Sequence, residues 1–247
     1  AFAEALAETH EPGRARALLE RYGDAFSDGY REVYSPLNAV ADIRIIEGLS
    51  PERPLGVDFY HRVWDEKRTV GLKVWSYQRP IALSERVPVL ENMGFRVVDE
   101  QTYHVAAKAP GDPGTWFHDM TLDRAGGPGE LDKLKLALEA SFIVVMRGVA
   151  ENDGYNALVM AAGLPWRDVA LIRTVSRFLR QIRVPYSQDY MWATLRKHAA
   201  LATSIVELFH ARFDPHAKVK KGENDRGQRE AAIMADIEAA LAAVDSL

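Results

Sequence analysis

LGVDFYHRVWDEKRTVGLKVWSY, residues 55–77, carries two runs of period two. Leu55, Val57, Phe59, His61 and Val63 alternate with polar residues and Gly, and beyond the charged turn Asp65-Glu66-Lys67-Arg68 the alternation resumes at Val70, Leu72 and Val74. Side chains that alternate in this way line one face of a half-buried strand, so the stretch predicts a β-hairpin. Downstream, a helix is expected from about Ser84 to Gly94, with Val87, Leu90 and Met93 facing inward and Pro88 at the edge of what a first turn tolerates. A third strand follows from Phe95 to Ala106, the turn KAPGDPG spans 108–114, and a fourth strand runs from Thr115 to Leu122.

Upstream, Ser35 is a good N-cap and Pro36 fits the first helical position, where its missing N–H costs nothing. Leu37, Val40, Ile43 and Ile46 follow at helical spacing until Gly48, and an earlier helix is expected from about Pro12 to Ala25. The resulting order, α-β-β-α-β-β, is the ferredoxin-like βαββαβ order with its first strand moved to the end. It predicts an α+β fold: a four-stranded antiparallel sheet with both helices on one face.

The stretch RAGGPGE, residues 124–130, suits neither helix nor strand and marks a boundary. Beyond it the period is helical throughout. Five apolar stripes are legible: Leu131, Leu134, Leu138, Phe142 and Val145; Val169, Ile172, Val175, Leu179 and Ile182; Met191 and Leu195, after Ser187; Ile205, Leu208, Phe209 and Phe213; and Ile233, Ile237, Leu241 and Val244. The chain thus divides into a helical lead-in at 1–34, an α+β module at 35–124 and an all-helical region at 125–247.

The 247 residues are 47% apolar and 27% charged, with no Cys and a net charge of −4. A chain of this length buries roughly 70–75% of its unfolded surface, enough for a substantial core. Without Cys there are no disulfides, thiolate metal sites or thiol nucleophiles. No apolar run approaches the ~20 residues of a membrane span, and the mild acidity argues against a general nucleic-acid binder. The opening AFAEALAETH has no basic or apolar leader segment. Starting without Met and stopping within an amphipathic run, the chain reads as a piece of a longer polypeptide.

The chemistry-bearing motifs are few. There is no G-x-G-x-x-G, and the loop GENDRG at 222–227 has Gln228 where a phosphate-binding Lys belongs. No two histidines stand four apart on a helix. His118-Asp119 is the best acid–base pair, but neighbours on a strand point to opposite faces. The run ENDGYN, residues 151–156, collects oxygen ligands as a calcium loop does, yet lacks the EF-hand alternation; the competing reading is a turn in which Asp153 caps the next helix. Arg173, Arg177 and Arg180 stand four and three apart, on one helix face, with Arg167 and Arg183 near. They make either an anion or acidic-partner site or a solvated face. From the residues alone, no catalytic, cofactor-binding or metal-ligating set emerges.

Several stretches carry a resemblance: SPLNAVADIRIIEGL (35–49), LSERVPVLENMGFRVVDEQTY (83–103), WFHDM (116–120), GVAENDGYNALVMAAGLPWRDVALIR (148–173), YSQDYMWATLRKH (186–198) and FHARFDP (209–215). Together they resemble the large-subunit class of NAD-specific glutamate dehydrogenase, in the same order and with similar spacings. Asp153, Gly154, Tyr155, Asn156, Trp166 and Arg167 belong to the stretch most specific to that class. The resemblance implies the last ACT-like module and the helical segment leading to a catalytic domain further along the polypeptide. It further implies NAD in the parent enzyme but none bound by this segment, and partners in its own catalytic domain and other subunits of a homo-oligomer. An amino-acid effector is compatible with it, while the composition itself points to a cytoplasmic protein without nucleic-acid or membrane partners. None of the family's catalytic or NAD-binding motifs matches a position here.

Overall fold

The computed structural model describes residues 1–61, 69–108, 114–124, 131–215 and 226–244. The expected turns at 65–68, 109–113 and 125–130 and the loop at 222–225 lie outside the described residues. The chain forms two units, Ala1–Pro88 with Phe95–Leu131, and Val89–Gly94 with Asp132–Leu247.

The first unit opens with four helices, α1 (Phe2–Thr9), α2 (Pro12–Tyr22), α3 (Asp28–Val33) and α4 (Pro36–Ile46). Ser35 caps α4 in a reciprocal box, accepting from the Asn38 N–H while the Asn38 side chain accepts from the Ser35 N–H. Two end groups of the helix are thereby satisfied. The strands are β1 (Leu55–Tyr60), β2 (Thr69–Tyr77), β3 (Phe95–Val105) and β4 (Thr115–Arg124), with α5 (Leu83–Asn92) between β2 and β3. The sheet order is β1-β2-β4-β3 and every pairing is antiparallel. This is the order that moving the first ferredoxin-like strand to the end produces. A bulge between Val97 and Asp99 turns Val98 outward, 57% exposed.

Register fixes the two faces of the sheet. Trp75 pairs with Phe117 and Lys73 with Asp119 on one face, while Val74 pairs with His118 and Leu72 with Met120 on the other. On the first face Trp75, Phe117 and Val105 share a core with Leu6, Leu18, Tyr22, Tyr30, Val40 and Ile43 of α1–α4. Trp75 and Phe117 stack with centroids 5.4 Å apart. The start of α5 instead meets the second face, where the Ile81 N–H donates to His118 and Arg86 to Glu100. The expectation of both helices on one face is therefore corrected. The large aromatic surface of Trp75 and Phe117 needs cover, and α4 supplies it together with three other helices. Two of those, α1 and α3, carry no legible period; with eight and six residues they depend on tertiary packing rather than propensity. In α5 Arg86, Val89 and Leu90 are buried, as is Met93 just past its end, while Val87 is only half-buried.

The second unit contains α6 (Leu131–Met146), a 3-10 turn (Gly154–Ala157), α7 (Leu158–Ala162), α8 (Trp166–Gln181), α9 (Gln188–Lys197), α10 (Ala199–Phe213) and α11 (Arg226–Ala242). Leu138, Phe142, Tyr155, Leu158, Val169, Ile172, Ala202 and Val206 are buried. The α6 stripe faces inward as its spacing requires. That of α8 does so only in part: Val169 and Ile172 are buried, yet Val175 and Ile182 are 39% and 56% exposed. Arg173 and Ser176 take the inner positions instead. In α10 the small residues Ala202 and Ala211 face inward beside Val206, leaving Phe209 and Phe213 exposed. Among the described residues no helix is long and apolar enough to cross a membrane.

Candidate functional site

His118 and Asp119 stand on opposite faces of β4, so they cannot serve one substrate. Asp119 accepts from the Tyr34 hydroxyl and, at 2.8 Å, from that of Tyr60. Beside it lies Lys73, whose Nζ is 3.2 Å from Asp42 and 4.7 and 5.3 Å from the Tyr34 and Phe117 ring centres. Tyr30 completes the cluster with a 2.5 Å bond to Asp42. Burial pushes the Asp42 carboxyl above its ordinary range, with Lys73 pulling the other way. Burial and their carboxylate partners also raise the Tyr30 and Tyr34 hydroxyls. Both therefore stay protonated and act as donors. The cluster ties α4 to β2 through a buried ammonium and aromatic faces.

On the other face, His118 lines an open hollow of about 590 Å³ with Pro80, Ile81, Leu83, Arg86 and Glu100. The Ile81 N–H donates to Nε2 at 3.2 Å, which places the proton of the neutral ring on Nδ1, 3.1 Å from Glu100 Oε1 and 3.0 Å from Thr102 Oγ1. Burial, reinforced by the Arg86 charge, holds His118 below its ordinary pKa. Burial alone would raise the Glu100 carboxyl, but bonds from Arg86 and Thr102 overcome it and hold the group low. Arg86 also donates to the Ile81 carbonyl. Thus a neutral imidazole and an ion-paired carboxylate lock the chain between β2 and α5. Sequence reasoning found His118 but missed Arg86, Glu100, Lys73 and Asp42. A cue was present in Lys73, a charge between Leu72 and Val74, and in Arg86, one helical turn before Val89 and Leu90.

In the second unit the structure brings together two features that the sequence left apart. Asp153 caps the 3-10 turn by accepting from the Tyr155 N–H at 3.1 Å. The Arg173 guanidinium, 4% exposed, closes on the same turn. Its Nε and one terminal nitrogen reach the two Asp153 oxygens at 2.7 and 2.9 Å, and that terminal nitrogen also reaches Asn156 Oδ1 at 2.7 Å. Asn156 in turn donates to the Glu151 carbonyl at 3.0 Å. Gly154 is required because a Cβ there would come within 2.5 Å of the Trp192 ring, which meets Tyr155 edge-on. Arg177 pairs with Glu151 at 2.7 Å, in the open. Arg180 is exposed. Arg167 lies over its neighbour Trp166, 4.5 Å from the ring centre. The Asp153 carboxylate is thus engaged by Arg173 and the Tyr155 N–H. Among the described residues no cluster of three His, Asp or Glu is placed to hold a metal ion.

Three consecutive stretches match models of glutamate dehydrogenase segments: helical motif 2 at residues 5–49, the ACT3 domain at 54–136 and helical motif 3 at 150–215. The chain is 36% identical over 221 residues to an NAD-specific glutamate dehydrogenase of Halomonas elongata, a match covering 89% of this chain and 13% of that relative. Over most of its length the chain is similar to a stretch of glutamate dehydrogenase. The enzyme of the same name from Pseudomonas aeruginosa is 34% identical over 86% of the chain, and that from Mycobacterium tuberculosis 31% over 95%. The chain spans only 13–14% of the length of these relatives. Every pairing in the described sheet is antiparallel, so it is not the doubly wound parallel sheet whose strand ends form one common dinucleotide site.

Proposed function

We propose that this segment is a non-catalytic regulatory or scaffolding part of a long NAD-dependent glutamate dehydrogenase. The parent would convert L-glutamate, NAD and water to 2-oxoglutarate, ammonia and NADH. The observation that carries the reading is the succession of helical motif 2, ACT3 domain and helical motif 3 between residues 5 and 215. The split between His118 and Asp119 supports it, since the best acid–base pair has no common substrate position. In this reading the segment positions the catalytic domain of its own polypeptide and contacts other subunits of a homo-oligomer in the cytoplasm. NAD belongs to the parent enzyme and not to this segment. The test is titration of the purified segment with NADH, followed by energy transfer from its five Trp residues. No saturable signal is expected, and saturable binding in the micromolar range would refute the reading.

A second reading is an amino-acid-sensing ACT-like domain. It is favoured by the ACT3 match and by the hollow that Arg86, Glu100 and Asp99 line with opposite charges. Calorimetric titration with a panel of amino acids distinguishes the two: micromolar binding supports sensing, and silence rejects it.

A further inference from the structure

Ile81 is held at both of its backbone groups. Its N–H donates to His118 Nε2 at 3.2 Å, and its carbonyl accepts from the Arg86 guanidinium. It lies in the connection 78–82 between β2 and α5 and is the buried anchor of that segment, 3% exposed. The connection opens on Gln78 at φ 66°, a left-handed conformation that is unfavourable for a residue other than glycine. The imidazole holds Ile81 as an acceptor, which only the neutral ring can be. Its other nitrogen, Nδ1, is committed as a donor to Glu100 Oε1 at 3.1 Å and Thr102 Oγ1 at 3.0 Å. A second proton would therefore have to sit on Nε2, pointing at the Ile81 N–H, in a ring that is 1% exposed and so has no water to turn to.

The charged groups that face the ring are Arg86 from α5 and Glu100 from β3. Val74 of β2 and Met120 of β4, on the same face, do not titrate, and His104 of β3 lies further along, its ring 4.7 Å from that of Trp116. The Arg86 charge opposes a second proton, and Arg86 also takes up the carboxylate that would otherwise steady one. We infer that His118 is a proton-operated latch: when the imidazole takes a second proton it releases the Ile81 N–H, and the 78–82 connection and the first turn of α5 come away while the sheet stays paired. Pro80, Ile81, Leu83 and Arg86 form one side of the hollow beside His118, so release takes that wall away. The inference stands apart from both readings of function given above.

The experiment is amide hydrogen exchange of the 247-residue chain as a function of pH, corrected for the intrinsic pH dependence of exchange. An open state that titrates with the ordinary histidine value, against a closed state that stays neutral, raises the opening equilibrium about tenfold between about pH 7.5 and pH 5.5. That gain is expected at residues 81–86, with the amides of 72–76 and 116–120 unchanged. His118→Gln is expected to lose the pH dependence, because a carboxamide can accept from the Ile81 N–H and donate to Glu100 but takes no proton. The same pH dependence in His118→Gln would assign it to another group, such as Glu100, and overturn the inference. The unsubstituted chain decides the matter even if the variant does not fold: no gain at 81–86, or an equal gain throughout the sheet, would overturn it as well.

Discussion

Replacing Arg173 with Met removes a guanidinium that holds the 151–156 turn while keeping a stem of similar length. The variant loses bonds of 2.7 and 2.9 Å to Asp153 and of 2.7 Å to Asn156. Asn156 is 4% exposed, and its orphaned acceptor costs about 1–3 kcal/mol. Removing one partner of a fully buried ion pair costs about 3–5 kcal/mol, but the Asp153 side chain is 21% exposed and can partly rehydrate. It also keeps its bond from the Tyr155 N–H. The net expectation is a loss of about 2–4 kcal/mol, concentrated in the second unit. Urea unfolding measures the loss. Amide exchange locates it, with residues 151–176 opening first and the sheet amides unchanged. Arg173→Lys should recover less than half, because an ammonium cannot grip both Asp153 oxygens. A loss below about 0.5 kcal/mol, the scale of an exposed ion pair, would refute the argument that the buried turn depends on Arg173.

Other outcomes follow from the first unit. His118 is held neutral by burial and by Arg86, so unfolding takes up a proton as pH falls through the ordinary histidine value of about 6.5. Its contribution is therefore intact above that pH and lost below it, and His118→Gln should flatten this part of a stability–pH profile. Asp42→Ala strands the Lys73 ammonium among aromatic rings and should cost about 3–5 kcal/mol, whereas the double variant Asp42→Ala/Lys73→Met should recover much of it; additivity in this cycle would contradict the coupling. Phe117→Ala removes the ring that stacks on both Trp75 and Tyr103 and should cost about 3–5 kcal/mol in thermal or urea unfolding.

Local patterns were the legible part of this fold. Ser35-Pro36 announces the start of α4, and the period-two runs announce β1 and β2, because caps and alternation depend on residues close together in the chain. What was hidden depends on distant pairs. Whether α4 covers the Trp75–Phe117 face or the Val74–His118 face is settled by which side the other helices occupy. Arg173 and Asp153 were each noticeable, but 20 residues separate them and nothing local joins them. The same pairing explains the α8 stripe. Burying Arg173 against the turn rotates Val175 and Ile182 outward, so a spacing that reads as core becomes surface.

We propose that the dehydrogenase chemistry lies outside these residues. Glutamate-dependent NADH formation by the purified 247-residue chain, followed by absorbance beside the full-length polypeptide at equal molarity, decides the matter. Turnover by the full-length polypeptide and none above background by the segment is expected. Sustained glutamate- and NAD-dependent turnover by the segment alone would overturn the proposal.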